Sequence, residues 1–436
     1  MKLTGPAVAI GLLFAPFTAA TGAGAVDIQH VVSPKGIEAW LVEEHTVPMV
    51  AVSFAFEGGS SQDPEGKPGV ANMLSGLLDE GAGDLDSLGF QTALDDASID
   101  LSFDASRDTF SGSLRTLSDS RDEAIRLTRL ALTEPRFDAE PVERIRGQII
   151  AKIKSDEGDP GDIASRAMMK AVFGAHPYAS ATEGTVESVA TITADDLRLY
   201  KDKILARDNL KVAVVGDIDA ASLGPMLDEL FGDLPVKANR VPVADLDPST
   251  AETVDVPLPL PQAIIQIAGD GLKRDDPDFI TASVATYILG GGSFSSRLYT
   301  EIREKRGLAY SVWLGLIPLD HAGLWFVSTA TRADQANTVV SLIESEIKRF
   351  AEEGPTEQEL ADAKAYLIGS YPLRFDSSDD IADQLLAIQL ENLGIDYIDR
   401  RNDLIAAVTI EDIRRVSKRL FAGDDRVVVR VGAPET

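Results

Sequence analysis

ATITADDLRLYKDKILARDNLKVAVVG, residues 190–216, and AAVTIEDIRRVSKRLFAGDDRVVVRVG, residues 406–432, align at a constant offset of 216 without a gap. Thr193 meets Thr409, Asp196 meets Asp412, Arg198 meets Arg414, Val212 meets Val428 and Gly216 meets Gly432. Each copy reads as a threonine N-cap, an amphipathic helix, a polar turn and a valine-rich strand closed by glycine. A segment recurring at this distance implies two related domains in tandem. Working outward, 121–133 and 139–157 carry apolar residues at helical spacing: Ala124, Leu127, Leu130 and Ala131, then Val142, Ile145, Ile149 and Ile153. Residues 37–57 alternate as a strand pair around Glu44-His45-Thr46, and 99–115 alternate again. Hairpins followed by runs of helices predict two α+β domains, each an antiparallel-rich sheet with helices packed on one face. Residues 233–261, with six prolines, read as an extended linker that pairs as an edge strand near its end. The expected organisation is a leader over 1–25, a first domain over 26–232, a linker over 233–250 and a second domain over 251–436.

Composition removes several function classes. The 436 residues are 44% hydrophobic and 25% charged, which fits a packed protein and excludes collagenous or wholly disordered chains. A net charge of -29 repels phosphate backbones, so nucleic acid is not an expected partner. Without cysteine there is no disulfide, no thiolate nucleophile and no cysteine-held zinc. His30, His45, His176 and His321 are too far apart in sequence for a local two-histidine metal motif. At the start, Lys2, an apolar run over 7–20 and small residues at Ala23 and Ala25 read as a secretory leader cut after Ala25. That run is shorter than the roughly 20 residues that span a bilayer, and no other stretch approaches that length. The expectation is export to a bacterial periplasm, with no integral membrane segment.

Residues 69–81, GVANMLSGLLDEG, place Val70, Met73, Leu74 and Leu77 on one helical stripe after a glycine-rich loop. The loop, helix and trailing Gly81 resemble the opening of the pitrilysin/insulinase-type zinc peptidases, the inverzincins. Their helix carries H-x-x-E-H: two histidines hold zinc and the glutamate activates its water. The matching positions here are Asn72, Ser75 and Gly76, and the third ligand, a glutamate in that family, falls on Lys152. None of these side chains replaces an imidazole ligand or a carboxylate base, and an ammonium repels a divalent cation. The resemblance therefore implies a chain with no zinc and no hydrolysis of its own.

Residues 289–312, LGGGSFSSRLYTEIREKRGLAYSV, predict a helix capped by Ser293 or Ser295, with Leu298 and Ile302 inward and a stop at Gly307. Arg303 ends the helix and Tyr310 begins the next strand, and the turn between them can bring both to one mouth. Taken alone, the spacing also suits a solvated arginine and a packing tyrosine. The block closely resembles the C-terminal domain of the same family, where an arginine and a tyrosine seven positions apart reach the other domain's zinc. There they hold the peptide and stabilise the oxyanion; Arg303 and Tyr310 are the matching positions. The resemblance implies a non-catalytic subunit of a heterodimer that completes the site of a homologous, zinc-bearing subunit acting on a peptide or small protein. The rival reading is a scaffold or peptide-binding protein on the same fold. Gly290-Gly291-Gly292 lacks the Lys-Ser/Thr of a phosphate loop, and Ser295-Ser296 has no histidine near it in sequence.

Overall fold

A computed structural model describes residues 27–248, 251–423 and 425–432; the expected leader lies outside them. The first half begins with β1 (Gln29–Val32), β2 (Glu38–Glu43) and β3 (Met49–Glu57), followed by α1 (Val70–Ser75) and α2 (Ser87–Asp96). The hairpin β4 (Asp100–Ala105) and β5 (Thr109–Leu117) leads into α3 (Arg121–Thr133), α4 (Ala139–Asp156), α5 (Pro160–Phe173), α6 (Val186–Val189) and α7 (Ala194–Ile204). Strand β6 (Leu210–Gly216) and helix α8 (Ala220–Phe231) complete it. The second half runs β7 (Glu252–Val256), β8 (Gln262–Asp270), α9 (Phe279–Thr286), α10 (Arg297–Tyr299), β9 (Ala309–Leu319) and β10 (Ala322–Arg332). It ends with α11 (Ala336–Glu353), α12 (Glu357–Gly369), α13 (Ser378–Leu390), α14 (Tyr397–Ala407), α15 (Ile410–Phe421) and β11 (Arg426–Val431).

The repeat is visible in three dimensions. Thr193 and Thr409 both cap their helices through reciprocal capping boxes, with Asp196 and Asp412 as the returning partners. The strands that follow, β6 and β11, take the same place in their sheets: the orders are β1-β2-β6-β3-β5-β4 and β7-β11-β8-β10-β9. Each runs parallel to one neighbour and antiparallel to the other. The closing glycines have a shared cause. At Gly216 φ is +140° and a Cβ would lie 2.2 Å from the Met49 carbonyl oxygen; at Gly432 φ is +82° and the gap to the Gln262 oxygen is 2.7 Å. Neither position admits a side chain.

The alternation over 37–57 forms β2 and β3, but they do not pair with each other as expected. Strand β6 lies between them because its residues are buried on both faces and demand a central place. The helices over 121–133 and 139–156 stand where the spacing placed them.

Each half gathers its own helices on one face of its sheet. The opposite face is covered by a helix of the other half. Helix α13 lays Ala382, Leu385 and Leu386 on Val42, Ala55, Ala213 and Val215 of the first sheet. Helix α5 lays Ala164 and Met168 on Ala268, Val427, Val429 and Val431 of the second. The exchange is symmetric down to its polar contacts. Ser53 on β3 donates its hydroxyl to Asp383 on α13 at 2.6 Å, and Gln266, at the corresponding place on β8, donates to Ser165 on α5 at 3.1 Å. The connecting residues 236–248 are irregular and tied to both halves: Gln62 and Val241 exchange two hydrogen bonds of 2.8 and 2.9 Å, and the Leu246 N–H donates to the His321 carbonyl at 2.8 Å.

After β2, His45 sets Nδ1 at 2.8 Å from Asp217 and Nε2 at 3.4 Å from Glu43, pinning the turn to the end of β6. The hydrogen bond to Asp217, then that to Glu43, raises the His45 pKa above its ordinary 6.5. A raised histidine pKa stabilises the fold fully below the ordinary value, and that contribution fades as pH rises through the folded-state value. An NMR titration of the His45 ring is expected to show a midpoint above 6.5 that moves back toward it in Asp217→Asn. An unmoved midpoint would contradict the pairing.

Candidate functional site

Helix α1 is six residues long, shorter than the stripe over 69–81 suggested. Its start is fixed by Asp63, whose carboxylate accepts the N–H groups of Gly69 at 2.7 Å and Ala71 at 2.8 Å. Burial, outweighing these hydrogen bonds and the nearby Lys203, pushes the Asp63 pKa up to about 7. Its end is Gly76, whose backbone is an ordinary C-cap with φ -79°. A Cβ there would meet the Ile145 side chain of α4 at 3.4 Å, an unstrained contact, so packing does not demand glycine.

The four positions of the resembled metal centre can now be placed. Asn72, Ser75 and Gly76 lie along α1 and at its cap, and the Ser75 hydroxyl donates to the Asn72 carbonyl oxygen at 2.8 Å. Lys152 sits on α4, two turns beyond Ile145, exposed and ion-paired with Asp156. A hydroxyl spent on its own helix, an absent side chain and a paired ammonium do not fit zinc. Among the described residues no group of three or more His, Asp or Glu side chains is arranged to hold a metal ion.

The second half presents a different constellation. The segment 297–304 is one α turn, α10, continued by a π turn over Thr300–Glu304, and its N-cap is Ser296 rather than Ser293 or Ser295. Leu298 and Ile302 are buried, as the spacing required. The segment is bolted down by Arg297, which grips the Glu359 carboxylate with two hydrogen bonds of 2.6 and 2.7 Å. Burial opposes the charge on Glu359, but Arg297 and the Thr356 cap hold its pKa down to about 2. Arg303 comes from the π turn, where the altered winding re-aims side chains relative to an α-helix.

Tyr310 is re-aimed as well. In the β9–β10 ladder Val312 faces Thr329 and Ala309 faces Thr331, so Tyr310 and Ser311 together oppose one residue. This is a β-bulge on an edge strand. It leaves Tyr310 80% exposed and Trp313, further along the strand, 45% exposed. The Arg303 guanidinium carbon lies 4.5 Å from the centre of the Tyr310 ring, 5.0 Å from Tyr299 and 5.9 Å from Phe294. Arg303 also donates to the Tyr299 hydroxyl. Three aromatic faces thus hold one cation by its π surfaces, with the rim of the guanidinium carrying its donors. Tyr299, Phe294 and the bulge were not anticipated. Tyr299 follows Arg297-Leu298 directly and is four residues before Arg303, a helical neighbour, so that contact was available from spacing.

Comparison with known proteins places the chain in a family. Residues 39–186 match the family described as insulinase (peptidase family M16), and residues 191–367 match the one described as the peptidase M16 inactive domain. The chain is similar to the non-peptidase homolog YmxG of Helicobacter pylori, 31% identical over 76% of this chain and 77% of that protein. It is also similar to an uncharacterized zinc protease, SCO5738, of Streptomyces coelicolor, 28% identical over 83% of this chain and 80% of that one. Among solved structures, the peptidase M16 inactive domain from Pseudomonas fluorescens superposes with a TM-score of 0.88 at 30% identity, covering 94% of this chain and 99% of that one. A protease from Helicobacter pylori shares the fold, with a TM-score of 0.85 at 17% identity over 93% of this chain and 100% of that one.

Proposed function

Because the chain belongs to the M16 (insulinase) peptidase family, as a non-catalytic member of it, we propose that it is the substrate-gripping subunit of a heterodimeric zinc peptidase. In this reading Arg303 and Tyr310 reach into a zinc site carried by a homologous partner, where they bind peptide and stabilise the developing oxyanion. The supporting observation is the contrast within one chain. Nothing at Asn72, Ser75, Gly76 or Lys152 suits zinc, yet Arg303 is held in a cage of aromatic rings beside an exposed phenol on a sheet edge. A purely structural protein has no need to expose that phenol. An arginine offers a fixed fork of donors and a phenol a single directed one, which suits a carbonyl oxygen acquiring charge. Among the described residues no strand pairs with the outer edge of β9, which offers backbone groups to an extended peptide. The leader expected over 1–25 supports a periplasmic place for the assembly, and the relatives named above are bacterial.

The test is co-expression with a similar-sized homologue that contains H-x-x-E-H, followed by metal analysis and a peptide-cleavage assay. One zinc per pair, none in this chain purified alone, and cleavage only by the pair are the expected results. A partner fully active without this chain would remove the proposed role.

A further inference from the structure

Among the described residues the two sheets have four outer strands, and β9 differs from the other three. A strand at the rim of a sheet leaves a row of backbone N–H and C=O groups outside any ladder, and folded proteins guard such rims with shortness or charge. Strand β1 has four residues. Strands β4 and β7 each carry two carboxylates, Asp100 and Asp104 on one and Glu252 and Asp255 on the other. Strand β9 has eleven residues, AYSVWLGLIPL, and no charged side chain, in a chain of net charge -29. The tandem repeat sharpens the contrast. Strands β4 and β9 hold the same outermost place in their sheets, and only the copy in the first half is guarded.

The unguarded rim is also apolar. Ala309, Val312 and Leu314 belong to the core beneath the helices, so alternation around the bulge sends Tyr310, Ser311 and Trp313 to the opposite face. Farther along that face Ile317 and Leu319 are covered by Phe173 and Tyr178 of the first half, while α5 covers the inner strands β8 and β11. Trp313 lies in neither cluster and keeps 45% of its surface exposed. Its indole folds down over Gly315, where a Cβ would fall 2.3 Å from the ring's Cζ2, so only glycine lets the ring lie along the strand. Phe326, paired with Gly315 across the ladder, sets its ring centre 6.3 Å from that of Trp313. Two rings beside a bare backbone position form an apolar shelf along the open edge.

We infer that the outer edge of β9 binds an extended peptide as an added strand, and that the shelf of Trp313 and Phe326 selects a large aliphatic or aromatic side chain on it. The inference rests on the role proposed for Arg303 and Tyr310 and extends it from the reacting carbonyl to a neighbouring residue of the substrate. A segment paired along β9 turns every second side chain to the face that carries Trp313. The bulge absorbs one residue, so the side chain that meets Trp313 lies about two positions from the carbonyl beside Tyr310. A substrate peptide is the occupant, in preference to a fixed partner strand, because the donors of Arg303 and Tyr310 stand at the same rim and suit a carbonyl of that segment.

The experiment follows dye-labelled peptides binding to the whole chain by fluorescence anisotropy, the peptides being alike except for Leu, Phe, Gly or Asp at one central position. Wild type, Trp313→Phe and Trp313→Ala are compared, with circular dichroism and thermal midpoints showing that the half-exposed position tolerates both changes. The Leu and Phe peptides are expected to bind about tenfold or more tightly than the Gly and Asp peptides, as burial of one large apolar side chain requires. Trp313→Ala is expected to erase most of that preference and Trp313→Phe to keep most of it. N-methylation of alternate amides of the Leu peptide is expected to block binding in one phase and spare it in the other, because successive N–H groups of a strand point to opposite edges. Failure of the role of Arg303 and Tyr310 is read separately, as turnover of the assembled pair that is indifferent to Tyr310→Phe, and the binding measurement stands without the partner. The inference is overturned by an absence of saturable binding, by a preference that survives Trp313→Ala, or by N-methylation acting equally in both phases. Self-association of the chain that disappears in Trp313→Lys would likewise overturn it, by assigning the edge to a second copy.

Discussion

Expressed apart, residues 27–248 and residues 251–432 are each expected to stay unfolded or aggregate; expressed together, they are expected to reassemble. The reason is the exchange of α5 and α13. A lone first half would expose the sheet face that α13 covers, with Val42, Ala55, Ala213 and Val215, and would carry α5 with Ala164 and Met168 facing water. Leu385, Leu386, Val42 and Val215 alone, at about 1.5–3 kcal/mol for each fully buried side chain, account for roughly 6–12 kcal/mol. That is comparable to the about 5–15 kcal/mol that holds a whole domain folded. Buried hydrogen bonds cross the same seam, including Gln389 to the Val212 carbonyl at 2.9 Å, and their loss leaves polar groups unsatisfied. The readout is amide dispersion in NMR spectra and the cooperativity of denaturant unfolding. A half that unfolds cooperatively by itself would show that the exchanged helix is an accessory and not part of the core.

This exchange marks the limit of what the sequence discloses. The repeat at 190–216 and 406–432 revealed two related domains because capping boxes, amphipathic helices and valine strands are local patterns. Which sheet a helix covers is decided by long-range packing, and α5 looks like any other amphipathic helix of its own half. The misplaced partnership of β2 and β3 has the same origin: strands separated by a short turn suggest a hairpin, and only the burial of β6 on both faces displaces them. At the candidate site, Arg303 and Tyr310 were legible only through the resemblance their block carries, since the spacing alone also suits a solvated arginine and a packing tyrosine. Their aim was not, because it comes from a π turn and a β-bulge, which add residues without a clear signature.

Replacing Tyr310 with Phe is expected to lower the peptidase rate of the assembled pair by about ten- to a thousand-fold, with zinc content and assembly unchanged. The substitution removes one hydroxyl. The ring remains, so its contact with the Arg303 guanidinium at 4.5 Å persists, and an 80% exposed side chain contributes little to the core. Neither stability nor the bulge has cause to change. An effect confined to the rate therefore reports a donor that acts where charge develops, worth a few kcal/mol of transition-state stabilisation in a site closed from water. Arg303→Lys adds an independent check: it preserves the positive charge but loses the planar group held among Phe294, Tyr299 and Tyr310. If Arg303 grips the substrate through a fixed fork, that variant should raise KM as well as lower kcat, whereas the loss of the Tyr310 hydroxyl should fall mainly on kcat. The scaffold reading gives the opposite result, with turnover indifferent to both changes and sensitive only to the surface joining the two subunits.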